Sequence, residues 1–251
     1  AFCFPDTYEI GMSHLGMKIL YGLVNERNDA WCERVFAPDN DMEEQMRKHN
    51  VPLFALESGD YIKDFDIIGF TLQYELCYTN MLNMLDLAGV PIWSKDRTDL
   101  TPIVCVGGPC ACNPEPIADF CDIVFLGDGE ESTNQVLDLL KECKLKGSTK
   151  HEFLLKAKDI QGVYVPSFYE PSYNEDETLK ELKPLFNALK TVKKAVVSDM
   201  NKVYYPDKFV VPFINIVHDR AVEERFRGCI RGCRFCQAGF IYRKKKKKSV
   251  E

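Results

Sequence analysis

Short apolar runs alternate with segments of helical periodicity through the first ~140 residues of this chain. Residues 1–4, 65–70, 103–106 and 123–126 have the length and apolar content of buried strands, and amphipathic segments lie between them. Parallel strands need crossover connections, usually helices, and are then buried on both faces. The alternation therefore predicts an α/β fold built on a doubly wound parallel sheet of the flavodoxin or Rossmann type.

The pattern changes twice along the 251 residues. Residues 1–145 hold the alternation of strands and helices, which predicts one α/β domain. Residues 146–215 are richer in proline and polar residues, which predicts a connector of short strands and turns. Residues 216–251 contain a predicted strand at 222–226, a cysteine-rich loop and a run of lysines. We expect the start of a further domain there, with the lysines as a solvated tail.

The net charge argues against a general attraction to nucleic acid. The chain has 38 Asp and Glu against 32 Lys and Arg, for a formal net charge of −6. Residues 220–248 nevertheless hold six Arg and five Lys. This basic end favours either a solvated, anion-neutralising face or contact with a nucleic acid, and both interpretations stay open.

The sequence has no segment that indicates a membrane or a secretory route. No apolar run approaches the ~20 residues of a membrane-spanning helix, and the chain starts inside its first predicted strand without a basic leader. Of the eleven cysteines, eight are scattered, several of them in apolar runs where a free thiol behaves as a small hydrophobe. We therefore expect a cytoplasmic protein with reduced cysteines and no membrane partner.

The other three cysteines lie within residues 227–236, which read Arg-Gly-Cys-Ile-Arg-Gly-Cys-Arg-Phe-Cys. Three residues separate Cys229 from Cys233, and two separate Cys233 from Cys236. Soft thiolates on one glycine-containing loop suit an iron–sulfur cluster, with each sulfur on a different iron. Three ligands leave one iron free to bind a small molecule. The motif therefore predicts a 4Fe–4S cluster with an open coordination position.

The residues around these cysteines fit the same interpretation. Gly228 and Gly232 permit the unusual backbone angles of a chain that wraps a cluster. Three arginines would offset the negative charge of a thiolate-ligated cluster, namely Arg227, Arg231 and Arg234.

Two other kinds of site stay open at this point. A structural zinc site would take four ligands, with His218 or a distant cysteine as the fourth. A redox dithiol at Cys233 and Cys236 would leave Cys229 without a role.

The spacing Cys-x3-Cys-x2-Cys, with the aromatic Phe235 before the last cysteine, resembles the radical S-adenosylmethionine superfamily. The resemblance implies that the open iron binds the amino and carboxylate groups of S-adenosylmethionine, with Phe235 beside the cofactors. It also implies an electron donor such as flavodoxin or ferredoxin, and cleavage to methionine and a 5′-deoxyadenosyl radical. The cofactors carry the hard step, and the protein positions and shields them.

Segments upstream extend the resemblance to radical S-adenosylmethionine proteins that begin with a cobalamin-binding-type domain. These segments are residues 4–16, 72–75, 107–109 and 127–130. The similarity covers nearly the whole chain and is weakest at residues 145–202. It implies that residues 216–251 are the first strand and cluster loop of a partial TIM barrel. Asp128, Glu130 and Glu131, at the last of the segments, are interpreted as stabilising a helix N-terminus, with a catalytic role as the lesser alternative.

The resemblance places a cobalamin at the carboxyl ends of the strands, where open α/β sheets bind ligands. Gly107 and Gly108 would allow close approach of a corrin ring or nucleotide tail, although a tight turn explains them equally, and Thr71 would offer a hydroxyl group. Cobalamin domains that ligate cobalt have Asp-x-His-x-x-Gly after the first strand, but this chain has Tyr8 in the histidine position. A phenol is a poor cobalt ligand. We therefore expect either cobalamin without a histidine ligand or a vestigial pocket.

The leading prediction is a radical S-adenosylmethionine enzyme, with or without cobalamin, that acts on a small molecule or an RNA. Only 15 residues follow Cys236, whereas a barrel needs on the order of 200 residues. We expect this stretch by itself to be inactive. Two other functions stay open: a non-catalytic cobalamin- or nucleotide-binding module with a residual cluster loop, and a zinc-stabilised nucleic-acid-binding protein.

Overall fold

A six-stranded sheet forms the centre of the computed structural model, which describes residues 1–243 and 245–249. Its strands are β1 Phe2–Phe4, β2 Arg34–Phe36, β3 Ile67–Thr71, β4 Ile103–Gly107, β5 Ile123–Phe125 and β6 Val163–Tyr164. They lie in the order β2-β1-β3-β4-β5-β6; the first five are parallel, and β6 is antiparallel to β5. The α/β class with a mostly parallel sheet is therefore confirmed. The strand order places a topological switch point between β1 and β3.

The sheet is apolar on both faces because each face carries its own core. In β3, Ile68 and Phe70 face one core together with Val104 of β4. In β4, Ile103 and Cys105 face the opposite core. Successive side chains of a strand point to opposite faces, so a sheet that is covered twice needs an unbroken apolar run. This is the pattern from which the parallel sheet was predicted.

Helices cover both faces of the sheet. They are α1 Tyr8–Gly11, α2 Leu15–Asn25, α3 Asn40–His49, α4 Tyr78–Leu87, α5 Glu130–Lys146, α6 Lys150–Ala157 and α7 Ala238–Ile241. Met46 of α3 and Leu85 of α4 belong to the first core, and Val136 of α5 and Phe153 of α6 to the second. The helix α2 packs against β1 and α5. Both α6 and β6 lie beyond residue 145, the predicted end of the α/β domain, and pack into the same structure.

Local sequence signals explain where several helices begin and end. His14 begins α2, because its Nδ1 accepts a hydrogen bond from the backbone N–H of Met17 at 3.1 Å. Gly147, with φ of 65°, ends α5 in the left-handed conformation that glycine adopts without strain. Thr149 and Glu152 then form a capping box at the start of α6. None of the helices in the described residues is long and apolar enough to cross a membrane.

After β6 the chain forms a hairpin and then returns across the α/β domain. The antiparallel hairpin consists of β7 Tyr169–Tyr173 and β8 Leu179–Pro184. The returning segment is held at two points near α1 and α2. The backbone N–H of Phe213 donates to the Tyr8 hydroxyl at 3.0 Å, and that of His218 donates to Ser13 Oγ at 3.1 Å.

The last strands of the described chain differ from the prediction. The strand expected at residues 222–226 is only β9 Phe226–Arg227, which pairs antiparallel with β10 Lys246–Lys247. The lysine run is therefore not a solvated tail throughout, although Lys244 lies outside the described residues. The position of β9 is set by tertiary structure, because the two ends of the cysteine loop pair with each other. The apolar content of one segment does not predict where such a pairing starts.

Candidate functional site

A groove of about 1180 Å³ runs along the sheet between α2 and α5. Its floor includes Gly69 of β3 and Cys105 of β4, and its walls include Leu20 of α2 and Leu137 of α5. Gly69 has no side chain, and a Cβ there would stand 3.2 Å from the Cys105 sulfur. The floor therefore has no side chain at this point.

Three of the four predicted cofactor residues lie at the end of this groove that is formed by the carboxyl ends of the strands, and the fourth, Phe235, does not line the groove. Thr71, Gly107 and Gly108 all line it, at the ends of β3 and β4. Thr71 pairs with Gly107 in the sheet, so the fold brings the residues from the two loops together. The switch point between β1 and β3 also lies at the carboxyl ends of the strands, as expected for ligand sites of open parallel sheets.

A chain of polar side chains links α2 to Thr71. Gln73 Nε2 donates to Thr71 Oγ1 at 2.8 Å, and the Gln73 side chain also hydrogen-bonds to His14. Since His14 Nδ1 accepts from Met17, Nε2 is the nitrogen left to donate to Gln73. Burial lowers the pKa of His14, which the hydrogen bond with Gln73 only partly opposes. The imidazole is thus held neutral, and the Thr71 hydroxyl keeps its proton available for a ligand.

Gly108 has a backbone conformation that only glycine adopts readily. Its φ is 95° and its ψ is −177°, and a Cβ there would lie 2.5 Å from the Leu72 carbonyl oxygen. Gly108→Ala will therefore lower the free energy of unfolding by about 2 kcal/mol or more, measured by urea denaturation. Gly59→Ala is the matched control, because Gly59 has φ of 79° but nothing within 4 Å of the added Cβ. Equal losses in the two variants would contradict the steric explanation.

Tyr8, in the position of the histidine of cobalt-ligating domains, is not among the residues that line the groove. Its hydroxyl accepts the hydrogen bond from Phe213 described above, and its ring packs edge-on against Phe36 at 5.1 Å. The side chain is thus occupied in holding the returning segment to the α/β domain.

The cysteine loop, residues 228–243, has a backbone hydrogen bond across its base and another inside the loop. The N–H of Cys229 donates to the carbonyl of Tyr242 at 2.7 Å, and the N–H of Cys236 donates to the carbonyl of Cys233 at 3.1 Å. Gly228 enters the loop with φ of 96°, a left-handed conformation that favours glycine. Lys194 Nζ donates to the Ile241 carbonyl at 2.5 Å and ties the loop to the connector.

The thiols of this loop differ from most others in the chain by their exposure. Cys233 is exposed, and Cys229 and Cys236 are half-buried. Phe235, predicted to lie beside the cofactors, is 93% exposed. Of the eight other cysteines, seven are buried: Cys3, Cys32, Cys77, Cys105, Cys110, Cys121 and Cys143. Burial raises the pKa of Cys3 and of Cys105 to about 12, which disfavours the thiolate that a metal needs.

The loop offers thiols, which are the donors that an iron–sulfur cluster takes, but it is not assembled as a metal site in the described part of the chain. Within the described residues, no three His, Cys, Asp or Glu side chains are gathered as a group that could hold a metal ion. A 4Fe–4S cluster takes each thiolate on a different iron, so the three thiols would have to turn toward one cluster when it binds. Cys229, Cys233 and Cys236 are soft, accessible donors on a single glycine-containing segment.

An acidic turn after β5 binds the start of the cysteine loop. Arg227 donates to Glu130, and its Nη1 lies 3.3 Å from Asp128 Oδ1. Lys246 Nζ lies 2.7 Å from Asp128 Oδ2 and donates to the Val197 carbonyl at 2.8 Å. The acidic turn, residues 127–130, thus holds both strands of the β9–β10 pair.

Sequence reasoning missed this role of the turn. It interpreted Asp128 and Glu130 as stabilising a helix N-terminus and Arg227 as offsetting cluster charge. The missed signal is charge complementarity between two motifs, an acidic pair after a strand and an arginine directly before Gly-Cys. The pairing spans 97 residues for Glu130 and Arg227, so only the fold brings them together.

The ion pairs change the pKa values of their members. Burial acts to raise the pKa of Asp128, but the hydrogen bonds from Lys246 and Val197 outweigh it and the pKa is lowered. Burial likewise acts to lower the pKa of Arg227, but hydrogen bonds to Glu224 and Glu130 raise it above the usual value. Both groups are therefore held in their charged forms.

Comparison with known proteins places the chain in a family. Residues 16–166 match the family described as "Radical SAM proteins, N-terminal", which covers more than half of the chain. The chain belongs to this family. The match includes most residues that line the groove and the acidic turn, and it ends before the cysteine loop.

One relative is similar along almost the entire chain. It is a protein of Methanocaldococcus jannaschii named "Uncharacterized protein MJ0966", 27% identical over 250 residues. The alignment covers 96% of this chain and 41% of the relative. The chain thus spans about two-fifths of that relative's length.

Proposed function

We propose that Cys229, Cys233 and Cys236 hold a 4Fe–4S cluster and that the whole protein is a radical S-adenosylmethionine enzyme. The observation that carries the proposal is the loop itself, with three accessible thiols at Cys-x3-Cys-x2-Cys spacing in a chain of the radical SAM N-terminal family. The activity is proposed for the whole protein, because the chain spans 41% of its relative.

The residues of the loop have separate roles in this proposal. Gly228 and Gly232 let the backbone wrap the cluster, and Arg231 and Arg234 are exposed beside the thiols, where they offset its negative charge. Phe235, also exposed, covers the cofactors from the loop side. When bound, the cluster and S-adenosylmethionine supply the electron transfer and the carbon–sulfur bond cleavage.

The partners follow from this chemistry. A reduced cluster needs a one-electron donor, and a small acidic electron carrier such as flavodoxin or ferredoxin would meet the basic surface at Arg231 and Arg234. The substrate is a small molecule or an RNA. A cytoplasmic location fits the free thiols.

Anaerobic reconstitution tests the proposal. The full-length protein is incubated with iron and sulfide, and its iron content, visible absorbance and paramagnetic resonance are measured with and without S-adenosylmethionine. We expect about four irons per chain and a resonance that changes when S-adenosylmethionine is added. Zinc without iron would support the zinc-stabilised protein instead, and neither metal would support the non-catalytic module.

We propose cobalamin as the ligand of the groove, as a second function of the same protein. A groove of about 1180 Å³ between a sheet and its helices offers room for an occupant. Ordinary ligand pockets measure roughly 300–1,000 Å³, so the occupant is a large one. Thr71, Gly107 and Gly108 line the end at which a corrin ring would lie, and Tyr8 supplies no cobalt ligand.

Filling the groove will prevent cobalamin binding. Leu20→Trp adds a ring to the groove wall, so we expect the affinity for hydroxocobalamin to fall at least about tenfold, equivalent to roughly 1.4 kcal/mol. Binding is measured from the visible absorbance retained after gel filtration and by calorimetry. Leu23→Trp is the matched control, because Leu23 is half-buried on the same helix and does not line the groove. Equal affinities in both variants would place the cobalamin elsewhere.

A further inference from the structure

The β9–β10 pair has two different faces. Lys246 is half-buried, whereas Lys245 and Lys247 on either side of it are exposed. Successive side chains of a strand point to opposite faces, which explains this alternation. Lys246 and its partner in the register, Arg227, both bind the acidic turn. One face of the pair is therefore neutralised by carboxylates, and the other face, with Lys245 and Lys247, is turned to solvent.

The outward face combines cations with an aromatic ring. Phe226 lies opposite Lys247 in the register and is 51% exposed. Lys245 Nζ is 4.0 Å from the centroid of the Phe226 ring, within the range of a cation–π contact. The ion pairs of residues 220–248 that the structure describes involve the cations of Arg225, Arg227 and Lys246. Lys245 and Lys247 are thus charges that no described carboxylate neutralises.

The same combination continues on both sides of the outward face. Lys248 Nζ lies 4.2 Å from the centroid of the Tyr205 ring. In the cysteine loop, Phe235 is 93% exposed between the exposed Arg234 and Cys236. Basic and aromatic side chains therefore occur together on the paired strands and in the loop that these strands flank.

This composition indicates the chemistry of a ligand. Single-stranded nucleic acids are bound by cations that contact phosphates and by aromatic rings on which bases stack. A duplex offers few free base faces, because its bases stack on each other. An acidic protein would pair with the lysines but would leave the ring of Phe226 without a planar partner. The outward face therefore fits a single strand best.

We propose that the outward face of the β9–β10 pair binds single-stranded RNA, which is then the substrate class of the enzyme. Phosphates contact Lys245 and Lys247, and a base stacks on the exposed part of the Phe226 ring. Cys229 follows β9 by two residues, so RNA on this face lies beside the cysteine loop. The choice of RNA as substrate rests on the proposed function, whereas binding by this face needs neither iron nor S-adenosylmethionine.

The salt dependence of RNA binding tests the role of the lysines. Labelled oligouridylate of about 20 nucleotides is titrated with the full-length protein, without added iron, and followed by fluorescence anisotropy. We expect the double variant Lys245→Gln, Lys247→Gln to lose about tenfold in affinity and about 1.4 in the slope of log Kd against log salt concentration. Lys63→Gln is the matched control, because Lys63 is an exposed lysine over the ring of Tyr61 at 5.7 Å. An unchanged slope in the double variant would overturn the phosphate contacts.

Substitution of the ring tests base stacking separately. Phe226→Leu keeps an apolar side chain and should lower the affinity for oligouridylate about fivefold or more, with the salt slope unchanged. Phe226→Trp keeps a ring and should bind as the wild type does. Tyr61→Leu is the matched control on the other exposed cation–π pair. Equal affinities of Phe226→Leu and the wild type would overturn the stacking.

Two further probes separate RNA from other ligands. The same labelled strand annealed to oligoadenylate, and polyglutamate as a model of an acidic protein, should each bind about tenfold more weakly than the single strand. Equal or tighter binding of either probe would overturn the proposal, and so would the absence of any binding of oligouridylate.

The iron content and the cleavage of S-adenosylmethionine are measured on the same preparations. A protein that takes up iron and cleaves S-adenosylmethionine but does not bind oligouridylate would refute the RNA surface and leave the proposed enzyme intact. A protein that binds oligouridylate with the expected salt slope but takes up no iron would refute the proposed enzyme and leave the RNA surface intact.

Discussion

Replacing any one of Cys229, Cys233 and Cys236 by alanine will abolish the iron–sulfur signal of the reconstituted full-length protein. Each thiolate is expected to hold a different iron, so no remaining ligand can replace a lost one. We expect the visible absorbance and the paramagnetic resonance of the cluster to disappear, and cleavage of S-adenosylmethionine to fall at least ~1000-fold. The measurements are iron content, the two spectra and the amount of methionine formed.

Cys112→Ala is the matched control for these variants. Cys112 is the exposed cysteine outside the loop, whereas the other seven are buried. Its loss should leave iron content and both spectra unchanged. An intact cluster signal in a variant of the loop, or its loss in Cys112→Ala, would contradict the assignment of the three ligands.

Among the proposed substitutions, Asp122→Ala will lower the free energy of unfolding the most. The residue lies directly before β5 and is 1% exposed. Its carboxylate is 2.6 Å from Lys150 Nζ and 3.2 Å from Arg97 Nη2. It also accepts hydrogen bonds from the backbone N–H of Val104 at 2.7 Å and from Ser94 Oγ at 2.5 Å. Two cations of the α/β domain thus share one buried anion.

Asp122→Ala leaves both cations without that partner in the interior. Breaking a buried ion pair from one side costs about 3–5 kcal/mol, so we expect a loss of this size in urea denaturation followed by circular dichroism. Asp122→Asn keeps the shape and should fold if the alanine variant does not, with a smaller loss. Asp119→Ala is the control on an exposed neighbour and should change stability by less than about 0.5 kcal/mol. A loss below 1 kcal/mol in Asp122→Ala would contradict the role of the network.

The two predictions concern opposite ends of the strands of the sheet. Asp122 lies at the amino end of β5, and the acidic turn that holds the cysteine loop follows the carboxyl end of the same strand. Variants of Asp122 should therefore lower the free energy of unfolding more than they lower the iron content. Variants of the three cysteines should lower the iron content more than they lower the free energy of unfolding. A loss of fold in the cysteine variants would show that the loop supports the domain.

Much of the fold was predictable because its signals are local. Apolar runs at residues 65–70 and 103–106 became β3 and β4, with residues 103 and 105 facing one core and residues 104 and 106 the other. The strand expected at 222–226 was wrong, because β9 is defined by a partner about twenty residues later. The pairing of two strands across a loop cannot be predicted from the apolar content of one of them.

The sequence by itself determined the parallel α/β class and the three thiols on one loop, since periodicity and ligand spacing are properties of neighbouring residues. Only the tertiary structure decided that α2 and α5 leave a groove, that Tyr8 binds the segment 205 residues later, and that Glu130 holds Arg227. Contacts of this kind depend on how whole elements pack. Which side chains come into contact depends on how segments far apart in the sequence pack together, and not on the residues next to them in the chain.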